Sequence, residues 1–375
     1  MLDAFAYGTF DIGERSLSLR VGQQVVSWGT SLYIPGMSTA QSPADASKSV
    51  IPGVEVKDIY LPVGQVLAQF DMTDNLSVSA YSQWEWKKTE VNESGSYFSY
   101  TDMLDEAGKS ILIEGQPVSF SRGTDIDAKD TGQWGVAFEY YAENLGYGTD
   151  FGLYYMNYHD KNPSVIRSFG PHPQAPNVII PTTYHLEYAE DIKLTGASFS
   201  TVIGNTNIGG EIAHRKDAVA LVDSQAGPVP KRGSTAQVQL SAIHSFGQTS
   251  FADEVLFTGE IGYNRVLDVK DGSVSDLTDD RSGSGMGGMI TLKYNNVAPA
   301  TNLEVPVSFS KNFNGHSAAG TFTNGQNTDR MSIAAKVFYK DNIEASVAYT
   351  AYFGDAKDNK YTDRDFASIN LKYSF

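Results

Sequence analysis

The strongest constraint in this sequence is the alternation of apolar and polar residues along most of its length. The apolar residues fall on every second position in "NLSVSAYSQWEW" (75–86) and again in "AQVQLSAIHSF" (236–246). A period of two is typical of a β-strand whose two faces meet different surroundings. Because helix start and stop signals are almost absent, the pattern predicts an all-β chain.

The connections between the predicted strands alternate between short and long. About fifteen strands are predicted, and the long connections lie near 28–61, 90–131, 159–191, 217–233, 267–284 and 313–327. An antiparallel up-and-down transmembrane β-barrel of the bacterial outer membrane has this arrangement, with tight periplasmic turns and long outer loops. A soluble sandwich or solenoid is the alternative. Residues 1–375 are therefore predicted to form a single transmembrane β-barrel domain.

Charged residues lie on the polar faces of these strands, in mid-strand or near it. A soluble core would not bury such charges without partners, whereas the watered lumen of a membrane barrel accepts them. The apolar faces would then meet outer-membrane lipid and lipopolysaccharide. The candidate lumen-facing residues are Glu85, Lys87, Glu260, Glu304, Lys336 and Glu344.

The last predicted strand ends the chain on an aromatic residue. Its alternating apolar residues are Ile369, Leu371, Tyr373 and Phe375. This pattern resembles the C-terminal signal by which the barrel-assembly machinery recognises outer-membrane barrels. We therefore expect that machinery to be a partner of the chain.

Composition excludes several classes of function. The chain of 375 residues has 28 Lys and Arg against 44 Asp and Glu, a net charge of −16, which disfavours nucleic acid as a partner. It contains no cysteine, its histidines lack metal-ligand spacing, and no phosphate-binding loop is present. Ser241 and Ser245 lie on the opposite strand face from His244, so no nucleophile and base come together. We predict no enzyme activity, no metal and no cofactor.

The first long connection is too long for a hairpin turn and has no periodicity. Connections of this length are functional loops or disordered ones, so two alternatives stand: a flexible surface loop, and a loop that folds inward and constricts the barrel. For the second, Trp28 and Tyr33 would hold the loop to the wall while charged residues face the lumen. Those charged candidates are Asp45, Lys48, Glu55, Lys57 and Asp58.

The number of predicted strands is odd. The C-terminal strand of such a barrel runs toward the periplasm, and counting back through fifteen strands makes the first one run the same way. Because a single-chain bacterial barrel has an even number of strands, we expect at least one more strand before residue 3. The start of the chain also lacks the pattern of a signal peptide. The expectation is an N-terminally truncated form of a barrel of roughly 16–20 strands.

Several stretches resemble one protein family. They include "LDAFAYGTFDIGERSLSLRVGQQVVSWGTS", "SPADASK", "PGVEVKDIYLP", "WEWKKTEVNESGSYFSYTDML", "TDFGLYYMNYH", "YAEDIKLTGASF" and "RDFASINLKYSF". In this order they are similar to the proteobacterial outer-membrane family called domain of unknown function 1302. The family commonly has Trp-Gly-Glu where this chain has Trp28-Gly29-Thr30, and often Asn-Pro-Val-Asp where it has Ser42-Pro43-Ala44-Asp45. A basic residue commonly precedes Pro-Gly in the family, where this chain has Ile51 before Pro52-Gly53. The changes at Thr30 and Ile51 remove charge from the first long connection.

The resemblance implies movement of hydrophobic molecules at the outer membrane. We expect an outer-membrane channel or transporter for passive movement of small, hydrophobic organic molecules. One alternative is a general diffusion porin for hydrophilic solutes. Another is a non-enzymatic barrel that docks a periplasmic lipid-carrier-like protein, the kind of partner whose genes neighbour those of the family.

Overall fold

The computed structural model describes residues 3–48, 59–99, 101–112, 119–172, 175–224, 227–320, 322, 329–340 and 342–374. Within these ranges the regular structure is almost entirely β, with short 3-10 helices at Met37–Ala40 and Val274–Asp276. No helix in the described ranges has the length and hydropathy that a membrane-spanning helix requires.

Nineteen strands are present in the described residues. They are β1 (Ala4–Ile12), β2 (Arg15–Gln24), β3 (Val63–Asp71), β4 (Leu76–Gln83), β5 (Ser110–Leu112), β6 (Ser119–Arg122), β7 (Gln133–Ala142), β8 (Thr149–Tyr158), β9 (Ser164–His172), β10 (Ala175–Glu187), β11 (Ile192–Ile203), β12 (Thr206–Val222), β13 (Val229–Gly247), β14 (Glu254–Val269), β15 (Ser282–Ala298), β16 (Thr301–Asn314), β17 (Asp329–Tyr339), β18 (Ile343–Phe353) and β19 (Phe366–Tyr373).

Fifteen of these strands form one main sheet, in the order β1-β2-β3-β4-β7-β8-β11-β12-β13-β14-β15-β16-β17-β18-β19. Each strand pairs antiparallel with its neighbours. The predicted all-β, antiparallel, up-and-down order is therefore confirmed. In the part of the chain that the structure describes, β1 and β19 are the two edges of this sheet and do not pair with each other, so the sheet is not closed.

Several strands are longer than the alternation predicted. β12 has 17 residues and β13 has 19, and their pairing continues to Val222 and Val229. Most of the predicted loop 217–233 is therefore strand, and β14 and β15 likewise enter the predicted loop 267–284. About ten residues suffice for a strand to cross a bilayer, so these hairpins are long enough to extend beyond one.

Two of the predicted loops, 90–131 and 159–191, contain a second, four-stranded sheet in the order β5-β6-β10-β9. Strands β6 and β10 pair in parallel, with Ser121 opposite Thr183. These two residues are far apart in the chain. The sheet has its own apolar cluster of Trp86, Phe120, Tyr184, Leu186 and Tyr188. The predicted loops 90–131 and 159–191 are thus partly folded structure.

The main sheet is strongly curved. Trp28 stacks on Tyr81 of β4, and Tyr33 packs directly on Gly287 of β15. Seven strand spacings separate β4 from β15 in the sheet order, which is about 34 Å in a flat sheet. Trp28 and Tyr33 are only five residues apart, and a chain of that length spans at most about 18 Å. The sheet therefore curls around the connection between β2 and β3. We call the enclosed face the inner face and the opposite one the outer face.

The two faces differ sharply in chemistry. Large apolar side chains of the outer face are exposed, for example Leu153 at 61% and Ile369 at 82%. On β12, β13 and β14, where Ile212, Leu240 and Ile261 are exposed on the outer face, the inner-face positions carry the buried polar side chains Glu211, Gln239 and Glu260. The sheet is thus apolar outside and polar inside, the reverse of a soluble barrel.

Candidate functional site

Residues 28–45, which we call the inward segment, lie against the inner face of the main sheet. Backbone conformation helps to place them there, since Gly29 has a φ of 103°, a value that favours glycine. A Cβ at Gly36 would lie 2.1 Å from a carboxylate oxygen of Glu211. Glycine at this position therefore lets the backbone approach the wall closely.

Glu260 of β14 binds three consecutive backbone N–H groups of the inward segment. Its carboxylate accepts hydrogen bonds from Leu32 (3.1 Å), Tyr33 (2.6 Å) and Ile34 (2.6 Å). Hydrogen bonds to a carboxylate are stronger than those between neutral groups. Glu260 therefore fixes the part of the segment that is farthest from β2.

Neighbouring strands supply matching contacts. Glu211 of β12 accepts hydrogen bonds from the N–H groups of Thr30 and Met37, both at 2.9 Å. Wall side chains also donate to carbonyl oxygens of the segment: Arg215 to Gly36 at 2.9 Å and Gln237 to Pro35 at 2.7 Å. The wall thus holds the main chain of the segment through both its donors and its acceptors.

Apolar side chains anchor the segment nearer to β4. The ring of Trp28 lies 5.0 Å from that of Tyr81 and 5.9 Å from that of Tyr154. Met37 is fully buried and faces Gly196 of β11, where a Cβ would collide with its sulfur. This apolar cluster also includes Leu67, Met156 and Leu194.

Near residues 40 and 41, on the side of the sheet where the long connections lie, the segment is held by amide groups and one lysine. Gln83 Nε2 donates to the carbonyl of Gln41 at 2.7 Å, and Gln41 Oε1 accepts from the N–H of Trp28 at 2.7 Å. Lys161 Nζ donates to the carbonyl of Ala40 at 2.8 Å. The segment is therefore fixed at both ends of its path along the wall.

A cavity of about 710 Å³ lies beside the segment, next to the short turns. Gly29 and Thr30 of the segment contribute to its lining, with Ser77, Tyr154 and Ser198 from the wall. Five carboxylates line it against the single guanidinium of Arg15: Glu14, Asp71, Asp74, Glu139 and Asp150. The open space beside this part of the inner face is polar and acidic.

The candidates for the constriction have different positions. Trp28 and Tyr33 both lie on the inner wall, and the Tyr33 hydroxyl contacts Thr258. Asp45 is buried and forms an ion pair with Lys48 at 2.9 Å, so its carboxylate does not face open space. The remaining three, Glu55, Lys57 and Asp58, lie outside the described residues.

The candidate lumen-facing residues share the inner face or the rim above it. Glu260 holds the segment, and Glu304 is directly opposite Lys336 in the pairing of β16 with β17. Glu344 occupies an inner-face position on β18, since it alternates with the exposed Val347 and Tyr349. At the rim beyond β4, Glu85 and Lys87 form an ion pair at 3.1 Å.

Other site residues were not predicted as candidates. Glu211, Gln237 and Gln239 occupy inner-face positions that the alternation alone could have indicated. Lys161 lies in a long connection, where no period marks a face, so no sequence signal pointed to it. Its contact with Ala40 joins positions 121 residues apart.

At the C-terminal strand, the three described residues of the predicted assembly signal lie on one exposed face. They are Ile369, Leu371 and Tyr373, and Phe375 lies outside the described residues. Among the described residues no group of three or more His, Asp or Glu side chains could hold a metal ion.

Comparison with known proteins gives one family and a set of distant structures. Residues 1–375 match the family described as "Protein of unknown function (DUF1302)". No curated protein matches the chain. Among solved structures, in-vitro folded OmpT, an outer membrane protein of Vibrio cholerae, is 12% identical, with 83% of this chain and 88% of that chain covered and a TM-score of 0.34. A loop L8 deletion mutant of OmpT is 10% identical, with coverage of 83% and 90% and a TM-score of 0.32.

Proposed function

The chain belongs to the DUF1302 family over its whole length, and from the architecture of this member we propose an outer-membrane β-barrel that conducts small molecules passively past the inward segment. The observation that carries this proposal is the opposite polarity of the two faces of one curved sheet. A soluble protein rarely exposes a continuous apolar surface of this extent, whereas a barrel in lipid requires one.

The position of the inward segment supports a constricted path rather than a wide pore. Its contacts described above lie on β4 to β15 and cover that part of the wall. Glu304, Lys336 and Glu344 lie on the remaining strands, β16 to β18, and are partly exposed. The path for a solute would pass between these charged side chains and the segment.

The lining favours water-soluble solutes, neutral or cationic, over anions. Five carboxylates and one guanidinium around the cavity make the local potential negative.

In planar bilayers we expect a measurable conductance with a reversal potential that indicates cation preference. The double substitution Glu139→Gln/Asp150→Asn should reduce that preference, while Asp363→Asn, at an exposed carboxylate that does not line the cavity, serves as the matched control. Anion preference in the unmodified protein would contradict this choice of solute.

A second candidate, transport of hydrophobic molecules, is supported by the wall behind the segment. Leu67, Tyr81, Met156 and Leu194 form an apolar surface that Trp28 and Met37 now cover. Displacement of the segment would offer this surface to a hydrophobic ligand of similar size. Saturable uptake of such a ligand by proteoliposomes, without stable conductance, supports this candidate. A stable open pore of porin size would exclude it.

A further inference from the structure

We infer that the side chains of Tyr33 and Phe322 form an aromatic surface along one side of the solute path, and that this surface binds neutral solutes that have an apolar ring and several hydroxyl groups. This inference rests on the proposed function and names the class of solute that the path takes. It starts from a second connection that folds onto the inner face, the one between β16 and β17.

A strip of glycines on the inner face makes room for side chains of two different connections. Gly283, Gly285 and Gly287 occupy three successive inner-face positions of β15, and Gly262 of β14 lies directly opposite Gly285. A Cβ at any of these four positions would lie 3.0 Å or less from an atom of a side chain that rests on the strip. Those side chains are Tyr33 and Ile34 of the inward segment and Phe322 of the connection between β16 and β17.

Phe322 is held on the glycine strip by its ring and by its main chain. Its ring atoms lie 3.1 Å and 3.0 Å from the Cβ positions of Gly262 and Gly285. Its carbonyl accepts the N–H of Ser317 at 2.9 Å, and the hydroxyl of the buried Ser317 donates to Asn264 of β14 at 2.6 Å. Phe322 has a φ of 60°, a conformation that an aromatic residue rarely adopts. Such residues persist only where their surroundings hold them, and they cluster at functional sites.

The two connections meet on this strip. One atom of Ile34 and one of Phe322 lie 3.0 Å and 3.1 Å from the same point, the Cβ position at Gly262. Tyr33 follows on the strip, over Gly287. Ile34 is buried, but Tyr33 is 41% exposed and Phe322 is partly exposed. The two aromatic residues therefore follow one another along β15, and both keep surface that a solute can contact.

The neighbouring strands place hydroxyl groups beside the aromatic surface. Ser310 of β16 is directly opposite Gly287, and Ser332 of β17 is directly opposite Ser308. Side chains directly opposite each other share a face and lie about 5 Å apart, so these serines lie on the inner face next to Tyr33. All three serines are partly exposed. A serine hydroxyl can both donate and accept a hydrogen bond.

Charges on this part of the wall are balanced. Glu304 of β16 lies opposite Lys336 on one side and Lys293 on the other. Lys293 also forms an ion pair with Glu254 at 3.0 Å. These four side chains are two of each sign. Arg330 of β17 is exposed and adds donors that suit hydroxyl groups. The wall beside the aromatic surface thus offers hydrogen bonds and little net charge.

The aromatic surface and the serines together form a corner with one apolar and one hydroxyl-lined side. A ring of the solute would stack on Tyr33 and Phe322, since aromatic rings attract one another beyond the effect of area alone. The serines would replace hydrogen bonds that the hydroxyl groups of the solute lose to water. A hydrocarbon would leave the serines without such partners. The corner therefore suits compounds such as aryl glycosides.

Equilibrium binding tests this surface apart from transport. The probes are phenyl β-D-glucopyranoside and methyl β-D-glucopyranoside, which share the sugar and differ in the aromatic ring. Saturation-transfer NMR titrations of the detergent-solubilised protein should show tighter binding of the phenyl glucoside. Phe322→Leu and Tyr33→Leu keep an apolar side chain without a ring. Each should raise the dissociation constant of the phenyl glucoside by about two- to tenfold and leave that of the methyl glucoside unchanged.

Three control variants separate the ring from the fold. Phe322→Tyr keeps a ring and should bind the phenyl glucoside as the unmodified protein does. Phe251→Leu is the matched control, because Phe251 is exposed in the short connection between β13 and β14, and it should change nothing. The double variant Ser308→Ala/Ser310→Ala should weaken binding of both glucosides by the same factor, because they share the sugar.

The outcomes separate the aromatic surface from the proposed function, when swelling of proteoliposomes in each glucoside measures passage. Tighter binding of the phenyl glucoside that depends on both rings, in a protein that passes neither glucoside, supports the surface and overturns the channel. Passage of the glucosides with equal binding by Phe322→Leu, Tyr33→Leu and Phe251→Leu overturns the surface and leaves the channel standing. Equal affinity of the unmodified protein for the two glucosides also overturns the surface.

Discussion

Glu260 binds three consecutive N–H groups with one carboxylate, and no other wall residue described above has so many contacts with the inward segment. Three successive N–H groups that converge on an anion form a nest, a backbone arrangement suited to negative charge. The carboxylate of Glu211 likewise accepts hydrogen bonds from two N–H groups of the segment, those of Thr30 and Met37. At the scale of residues, two carboxylates on the inner face of the main sheet thus determine where the segment lies.

The substitution Glu260→Gln should loosen the segment while preserving side-chain size. An amide oxygen lacks the charge that strengthens these bonds, and the amide nitrogen cannot accept them. Since hydrogen bonds to charged groups contribute about 1.5–3 kcal/mol each, we expect docking to weaken by about 2–4 kcal/mol. Limited proteolysis of residues 28–45 in detergent should become faster. Glu304→Gln, on the same face, should leave the rate unchanged, and equal rates in both variants would contradict the role of Glu260.

At the scale of elements, local alternation was enough to predict the strands and their faces. Side chains point to opposite faces at successive positions, so the polarity of Leu153 or Glu260 is visible in the sequence without knowledge of the partner strand. The second sheet could not be predicted in this way, because its parallel pair β6 and β10 joins segments that are distant in the chain. Lys161 was missed for the same reason, since its partner Ala40 is remote.

A charge placed on the outer face tests the strand faces directly. Leu153 lies in the middle of β8 and is 61% exposed. If lipid covers it, Leu153→Arg should cost about 2–4 kcal/mol of folding free energy in a bilayer, as for arginine near the midplane of other barrels. Urea titrations of folding into phosphatidylcholine vesicles measure this. Ser308→Arg, on the inner face of β16, should cost much less, and a similarly small cost for both variants would place water on both faces.

At the scale of the whole molecule, the fifteen antiparallel strands that the main sheet has in the described residues leave β1 and β19 running in the same direction. Unpaired backbone groups are not tolerated in contact with lipid. Closure with antiparallel pairing therefore needs an odd number of further strands between β19 and β1. We propose that both edges of the sheet are paired when the protein is in the membrane.

Hydrogen exchange on β1 tests this closure. Alternate N–H groups of Ala4–Ile12 point toward β2 and pair with it, and the others point toward the open edge. If further strands pair with that edge in the membrane, both sets should be protected for hours. Peptide-resolved exchange of the protein purified from outer membranes measures this, with β7, which is paired on both sides, as the internal reference. Fast exchange of half of the β1 amides would contradict closure.

The wall recognises the inward segment mostly through its main chain, and this affects how the protein can vary. Glu211 binds Thr30 through its N–H group, and Glu260 does the same for residues 32–34. Such contacts do not depend on which side chain is present. The N–H contact of Thr30 with Glu211 would be the same with another side chain at this position. The side chains of Thr30 and Leu32 can therefore change without loss of these hydrogen bonds, whereas Trp28, Tyr33 and Met37 also hold the segment through their side chains.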